Sequence, residues 1–278
     1  MQAFHSFWSL PNRVRSGGQV MIPDFELCTA ALSALSWRKH SGPVKMITDS
    51  AGAAYFRSLG LACLWDEVDA SLEGMDSSID PFLFWAAGKL YALRSMDCPC
   101  VMLDTDLIIW EKPSILEASS YDVIAAHPEE LMPGVYPPVD TLLLKDDYHF
   151  PDTWDFSLKA ANTAFLFIRD KTFCDYYTGN AIEVFSHLDL SNQNPVTAMC
   201  FAEQRVLPLC CKEKGQKLGY LFDLSEANQQ TVATHTWGFK NVLRQDASVR
   251  EAFILRCLTR VHKDFPEYYE VLKKAVGR

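Results

Sequence analysis

Positive charge is in short supply in this chain. Lys and Arg number 26 against 35 Asp and Glu, a formal net charge of −9, and no basic stripe is visible. Nucleic-acid binding therefore has no electrostatic support, and an anionic ligand would need local help from a metal or a few well-placed cations. No stretch approaches the roughly 20 apolar residues of a membrane span. The opening residues, MQAFHSFWSLPNRVRSGG, have no basic segment followed by an apolar one, so no signal peptide is expected. The nine cysteines form no framework: one residue separates Cys98 from Cys100, Cys210 adjoins Cys211, and neither pair has zinc-site spacing. Such a set reads as reduced thiols. The expectation is a soluble, cytoplasmic protein without a transmembrane segment, with peripheral membrane contact left open.

What is present suits a globular protein with a substantial core. The chain has 278 residues, of which 49% are hydrophobic, enough for one large domain or one domain plus a small appendage. Strand-like and helix-like pieces alternate over the first 110 residues. Residues 2–8 read as a strand, 25–37 as a helix, and 44–48 as a strand ending at Asp49. Residues 51–59 read as a helix stopped by Gly60, and 61–65 as a further strand. A helix over 82–96 is expected from Asp80 as N-cap and Pro81 at the first position. Residues 100–103 form an apolar strand running into Asp104-Thr105-Asp106. This alternation predicts an α/β layer with a mostly parallel sheet, whose ligands bind beyond the carboxyl ends of the strands.

Residues 127–157 carry Pro128, Pro133, Pro137, Pro138 and Pro151 among acids and aromatics. They read as a long excursion over the active-site face. Tyr136, Tyr148, Trp154 and Phe156 could stack on a ligand there, or simply pack the loop down. A strand follows at 164–168, introduced by Asn162 and Thr163. Helices are expected at 175–187 and 198–203, and a strand at 205–211. The tail, 246–275, reads as two amphipathic helices broken at Pro266. The domain reading is 1–245 for the main domain and 246–278 for a helical appendage packed on it.

The strongest chemical signal is VMLDTDLIIW, 101–110. Carboxylates at i and i+2 on extended chain point the same way. They can share one hard cation, Mn²⁺ or Mg²⁺, that keeps positions open for phosphates. Two solvated acids at a strand end are the plainer alternative, but acids so close to buried strand are costly unless paired or metal-bound. Lys89, on an apolar helix face, either snorkels or reaches a phosphate or the Asp104/Asp106 pair. In THTWGFK, 234–240, His235 could add a nitrogen ligand. Gly238 would let backbone approach a phosphate, and Lys240 would neutralise it. Asn162, Glu203 and Gln204 are weaker candidates, each also an ordinary turn or helix-end residue.

Taken in order, these pieces resemble the GT-A glycosyltransferases. They are most similar, distantly, to the family 8 retaining transferases of the glycogenin and bacterial galactosyltransferase group and related polysaccharide-synthesis enzymes. The counterparts are Lys89, Asp104-Thr105-Asp106, Asn162-Thr163-Ala164, Glu203-Gln204 and His235-Thr236-Trp237-Gly238-Phe239-Lys240. Ala164 stands where the family has glycine and Glu203 where it has aspartate, and Lys240 lies one residue closer to Gly238. The resemblance implies a GT-A fold, a single mixed sheet flanked by helices with a helical C-terminal tail. It implies a Mn²⁺-dependent hexosyltransferase that takes a UDP-sugar donor to a glycan, lipid-linked or protein acceptor, with retention expected. Trp8 or Ser9 would lie near the base or ribose, with Asp49 nearby. Asp104, Asp106 and His235 would bind the metal, and Thr105, Gly238, Lys240 and Lys89 would serve the donor. Asn162, Glu203 and Gln204 would act at the anomeric carbon. An inverting reaction would use Glu203, Asp146 or Asp147 as base.

Two rival readings remain. A haloacid-dehalogenase-type phosphatase also follows an apolar strand with Asp-x-Asp, the first aspartate being a nucleophile. However, three strand candidates precede this one, and the later acids at 146–147 come too soon. A non-catalytic nucleotide-sugar-binding protein would keep the fold without the chemistry.

Overall fold

Alternation of buried strands with helices sets the architecture. The computed structural model describes residues 1–117, 120–145, 148–189, 194–226 and 229–278. In chain order the elements begin with β1 (Gln2–Phe7), α1 (Ser9–Arg15), α2 (Asp24–His40), β2 (Val44–Thr48), α3 (Ser50–Ser58) and β3 (Glu67–Asp69). Next come α4 (Ala87–Ser95), β4 (Cys100–Leu103), β5 (Leu107–Ile109), β6 (Val123–Glu129), β7 (Ala160–Ile168) and α5 (Lys171–His187). The chain finishes with α6 (Pro195–Cys200), α7 (Val206–Glu213), β8 (Leu218–Tyr220), β9 (Ala233–His235), α8 (Phe239–Gln245), α9 (Ala247–Asp264) and α10 (Pro266–Ala275). Seven strands form a mixed, mostly parallel sheet in the order β3-β2-β1-β4-β7-β6-β8, and β5 and β9 form a separate ribbon. The tail is helical, and α10 begins with Pro266 where a missing N–H costs nothing. Among the described residues no helix is long and apolar enough to cross a membrane.

The chain divides into two compact units. The first comprises Met1–Glu73, Leu103–Pro113 and Thr231–Arg278. There β1 pairs in parallel with β2, and β2 with β3. Asp49 caps α3 by accepting from the Gly52 amide at 2.8 Å. Glycine is required at position 52, because a Cβ there would meet the Thr48 hydroxyl at 2.1 Å. Gly60 ends this segment in the left-handed region, at φ 74°. Helix α2 is buried at Phe25 and on all sides from Leu27 to Trp37, as a helix apolar all round must be. Its serines have partners: Ser33 Oγ donates to the Leu107 carbonyl at 2.5 Å, and Ser36 Oγ to that of Ile109. Serines at i and i+3 thus meet alternate carbonyls of β5.

A buried histidine extends this chain of bonds. The Trp65 indole N–H, which can only donate, reaches His5 Nδ1 at 2.9 Å. The imidazole proton therefore sits on Nε2, which donates to Ser33 Oγ at 3.0 Å. Burial pushes the His5 pKa down to about 4, against the opposing pull of Asp104 and Asp106.

The second unit comprises Gly74–Met102 and Ser114–Gln230. Strand β6 pairs antiparallel with β7, with a register shift between Ala125 and His127, and parallel with β8. All nine residues of β7 are buried. Helices α6 and α7 are joined by a π-helical turn, Phe201–Arg205.

Several local expectations change. The helix expected at 82–96 begins only at Ala87. The Asp80 carboxylate instead accepts from the Phe82 and Leu83 amides, closing a turn, and Phe82 is exposed. The expected strand at 61–65 is a 3₁₀ turn, Leu61–Leu64. The expected strand at 205–211 is helix α7, whose residues Val206 to Cys211 are all buried. Short apolar runs do not separate strand from buried helix by period alone. Pro208 has no N–H for the Gln204 carbonyl one turn back, and the π turn lies there. Asn162 lies inside β7 rather than at its mouth. The excursion expected at 127–157 runs from 130 to 159, because His127, Pro128 and Glu129 complete β6, and Trp154 within it is buried. The rings of Phe150 and Trp154 stack at 5.8 Å, those of Phe156 and Phe201 at 6.4 Å, and those of Tyr148 and His187 at 4.1 Å. These aromatics pack the excursion down.

His5 makes stability pH-dependent. Its folded pKa lies below the unfolded value of about 6.5, so the unfolded chain binds the extra proton in between. Stability should fall by about 3 kcal/mol from this group as pH drops from 6.5 to 4. In urea titrations across that window, His5→Gln should lower the slope of stability against pH by one proton's worth. An unchanged slope would remove His5 as the cause.

Candidate active site

Two polar centres stand out, one in each unit. The first begins where β4 ends. Leu107 N donates to the Asp104 carbonyl at 3.1 Å, turning the chain into β5. Strand β9 pairs antiparallel with β5, setting Leu107 opposite His235. Asp104, Asp106 and His235 thereby offer two carboxylates and an imidazole whose ligand atoms lie within 4.8 Å of one another. Asp106 is buried, with its carboxylate 2.8 Å from Lys240 Nζ, 3.6 Å from His235 Nε2 and 3.2 Å from the Thr236 hydroxyl. The Thr236 amide also donates to the Asp106 carbonyl at 3.1 Å. Burial pushes the Asp106 pKa up, but Lys240, His235 and the hydrogen bonds outweigh it and hold the carboxyl below its ordinary value.

This donor set suits a divalent cation of the Mg²⁺ or Mn²⁺ type. Carboxylate oxygens favour both ions, imidazole tilts the set towards Mn²⁺, and three protein donors leave coordination positions for other ligands. Thr105 is half-buried between the aspartates. Gly238 precedes α8 at φ −62°, and a Cβ there would meet nothing within 4 Å.

Trp8, Ser9 and Asp49 also lie in the first unit. Trp8 precedes α1 and is largely buried. Asp49 Oδ2 accepts from the Ser9 amide at 3.0 Å and hydroxyl at 2.8 Å, while Oδ1 caps α3. Asp49 therefore ties the end of β1 to the end of β2.

The second centre is a buried network in the second unit. Glu203, in the π turn, pairs with Lys89 of α4 and accepts from the Thr163 hydroxyl. The Tyr177 hydroxyl donates to the Glu203 carbonyl at 2.6 Å. Asn162 donates to Glu129 Oε1 at 2.9 Å and accepts from the Ala164 amide at 3.0 Å. The Tyr136 hydroxyl donates to Gln204 Oε1, fixing which way that amide faces. Glu129 and Tyr177 were not singled out in the sequence, Tyr136 was singled out only as a ring that could stack, and Thr163 only as part of the strand entry. Asp146 and Asp147 lie outside the described residues.

The fold and first centre define a mixed α/β protein with a candidate divalent-cation site at a strand end. Over residues 1–275 the chain matches DUF6734, a family of unknown function, and it belongs to that family. No curated protein matches it. Solved structures similar to it include the galactosyltransferase LgtC in complex with donor and acceptor sugar analogs. That likeness has 14% identity and a TM-score of 0.39, over 79% of this chain and 73% of that one. The PaToxG glycosyltransferase shares 10% identity at a TM-score of 0.44, over 99% of this chain and 78% of that one. A nucleoside-diphosphate-sugar pyrophosphorylase from Vibrio cholerae RC9 shares 12% identity at 0.39, over 81% and 93%.

The Lys89–Glu203 pair gives a stability prediction. Removing one partner of a buried ion pair leaves the other charge uncompensated, at a cost of about 3 to 5 kcal/mol. Lys89→Met should be destabilised by about that much in chemical denaturation, and Lys89→Met with Glu203→Gln by clearly less. A double variant that loses the sum of the Lys89→Met and Glu203→Gln losses would mean the pair is not coupled.

Proposed function

We propose that this protein is a metal-dependent glycosyltransferase that moves a hexose from a nucleotide-sugar, expected to be a UDP-sugar, to a hydroxyl acceptor. The observation that carries this reading is the Asp104, Asp106 and His235 cluster with Lys240 on Asp106. Asp104, Asp106 and His235 are the residues that would hold a Mn²⁺ or Mg²⁺ ion. When bound, the ion supplies Lewis acidity against the charge that builds on a departing nucleoside diphosphate. Lys240 adds a second positive charge to the same region. Trp8, Ser9, Asp49, Lys89, Thr105 and Gly238 complete the proposed donor set. Residues 1–245 form the transferase domain in this reading, with 246–278 as its appendage.

Asn162, Glu203 and Gln204 are proposed to handle the transferred sugar and its acceptor through hydrogen bonds. Lys89 and Thr163 both occupy Glu203 Oε1, which suits an anchored, positioning carboxylate better than a mobile base. That favours retention. The bond from the anomeric carbon to the diphosphate breaks, and the bond to the acceptor oxygen forms on the same face. The acceptor proton passes to an oxygen of the leaving diphosphate, so no protein base is needed.

Thermal unfolding tests this reading, because a ligand that binds the native state must stabilise it. At about 100 times its dissociation constant, one nucleoside diphosphate with Mn²⁺ should raise Tm by about 5 °C or more. The rise should vanish with a chelator and in Asp106→Ala. Arms with UDP, GDP and their sugar conjugates would name the base. No shift with any nucleotide, but one with vanadate and Mg²⁺, would instead favour a phosphatase.

A further inference from the structure

Three thiols that have no part in the proposed transfer meet in the second unit. Cys98 precedes β4, Cys100 opens it, and Cys174 lies near the start of α5. The sulfurs of Cys98 and Cys100 are 3.9 Å apart, and Cys98 is hydrogen-bonded to Cys174 as well. The Cys174 thiol also reaches the Leu93 carbonyl at 3.5 Å. Cys98 is half-buried, whereas Cys100 and Cys174 are buried. A partly accessible sulfur thus has two sheltered thiols beside it.

Exposure singles out Cys98 among the three sulfurs. Its hydrogen bonds with Cys100 and Cys174 and the charge of the Lys171 ammonium favour a thiolate there, outweighing burial and Asp170. Lys171 is held by Asp175 at 2.8 Å and the Arg94 carbonyl at 2.5 Å. The Cys98 thiol is held well below its ordinary pKa, and those of Cys100 and Cys174 are pushed up, chiefly by their bonds to Cys98 and by burial. A thiolate with access to solvent and a thiol alongside is the arrangement that hydroperoxides oxidise selectively.

We propose that Cys98 is a hydroperoxide-reactive thiol that closes a disulfide with one of the two thiols beside it, Cys100 or Cys174. The Cys98 thiolate attacks a peroxide oxygen. The O–O bond breaks, an S–O bond forms, and the departing oxygen takes a proton to leave as water or an alcohol. Sulfur is oxidised to a sulfenic acid and the peroxide is reduced. The neighbouring thiol then loses its proton and attacks that sulfur. The S–S bond forms, the S–O bond breaks, and water leaves.

Cys63 provides an internal comparison, being exposed. The reduced full-length protein would be treated with hydrogen peroxide, quenched by alkylation under denaturing conditions, and mapped by peptide mass. Cys98 should oxidise about tenfold faster than Cys63 and be recovered in a disulfide with Cys100 or Cys174. A dithiol should reverse it. Cys98→Ser should leave no disulfide, and one of Cys100→Ser or Cys174→Ser should abolish it while retaining reactive Cys98. The proposal fails if Cys98 oxidises no faster than Cys63. It fails equally if Cys98 is converted to a sulfinic acid while Cys100 and Cys174 both remain alkylatable.

Discussion

Asp106 is a carboxylate that the fold has taken out of water. Left alone there it would cost several kcal/mol. It is offset by three side chains from one short segment, His235, Thr236 and Lys240. That segment lies some 130 residues further along the chain, so the β5–β9 pairing is what closes the contact. The ribbon is held in turn by Ser33 and Ser36 of α2, and Ser33 by His5, whose other ring nitrogen accepts from Trp65. Much of the polar construction of the first unit serves to hold one buried anion and its partners in register. A cation brought to Asp104, Asp106 and His235 would join a charge balance already in place.

The second unit solves the same problem with a different device. Glu203 is buried and paired with Lys89. Its place in a π turn departs from regular helix, and such bulges are frequent at functional sites. The turn also carries Gln204, whose amide Tyr136 orients, and Arg205, which donates to the Phe156 carbonyl at 2.6 Å. Side chains that could hydrogen-bond a polyhydroxyl ligand are thus held by other side chains rather than by loop conformation.

Much of the fold was legible in the sequence because period and punctuation agreed. The strands at 44–48 and 100–103, the helix around 25–37 and the break at Pro266 all coincide with apolar pattern and turn residues. Where the pattern was a short apolar run, as at 61–65 and 205–211, too few residues were available to tell helical period from strand. The two aspartates were legible as a pair, but they stand in the turn that joins β4 to β5 rather than on extended chain, and their junction with His235 required a long-range strand pairing and rested on the order of motifs. The serines of FELCTAALSALSW were visible as polar residues in an apolar helix, a sign that they bond something specific. Their partners, the β5 carbonyls, were not, because a single sequence does not reveal which strand edge a buried helix covers. Glu129 and Tyr177 gave no local signal, each being an ordinary residue for its element, and the hydrogen-bonding roles of Tyr136 and Thr163 depend on partners far away in the chain.

Release of nucleoside diphosphate from a panel of nucleotide-sugars, with Mn²⁺ and no added acceptor, tests the central claim most directly. A transferase leaks donor to water. The account predicts slow release from one donor, lost with a chelator and in Asp106→Asn. Release that ignores the chelator, or none from any donor while Mn²⁺ binds normally, would contradict it.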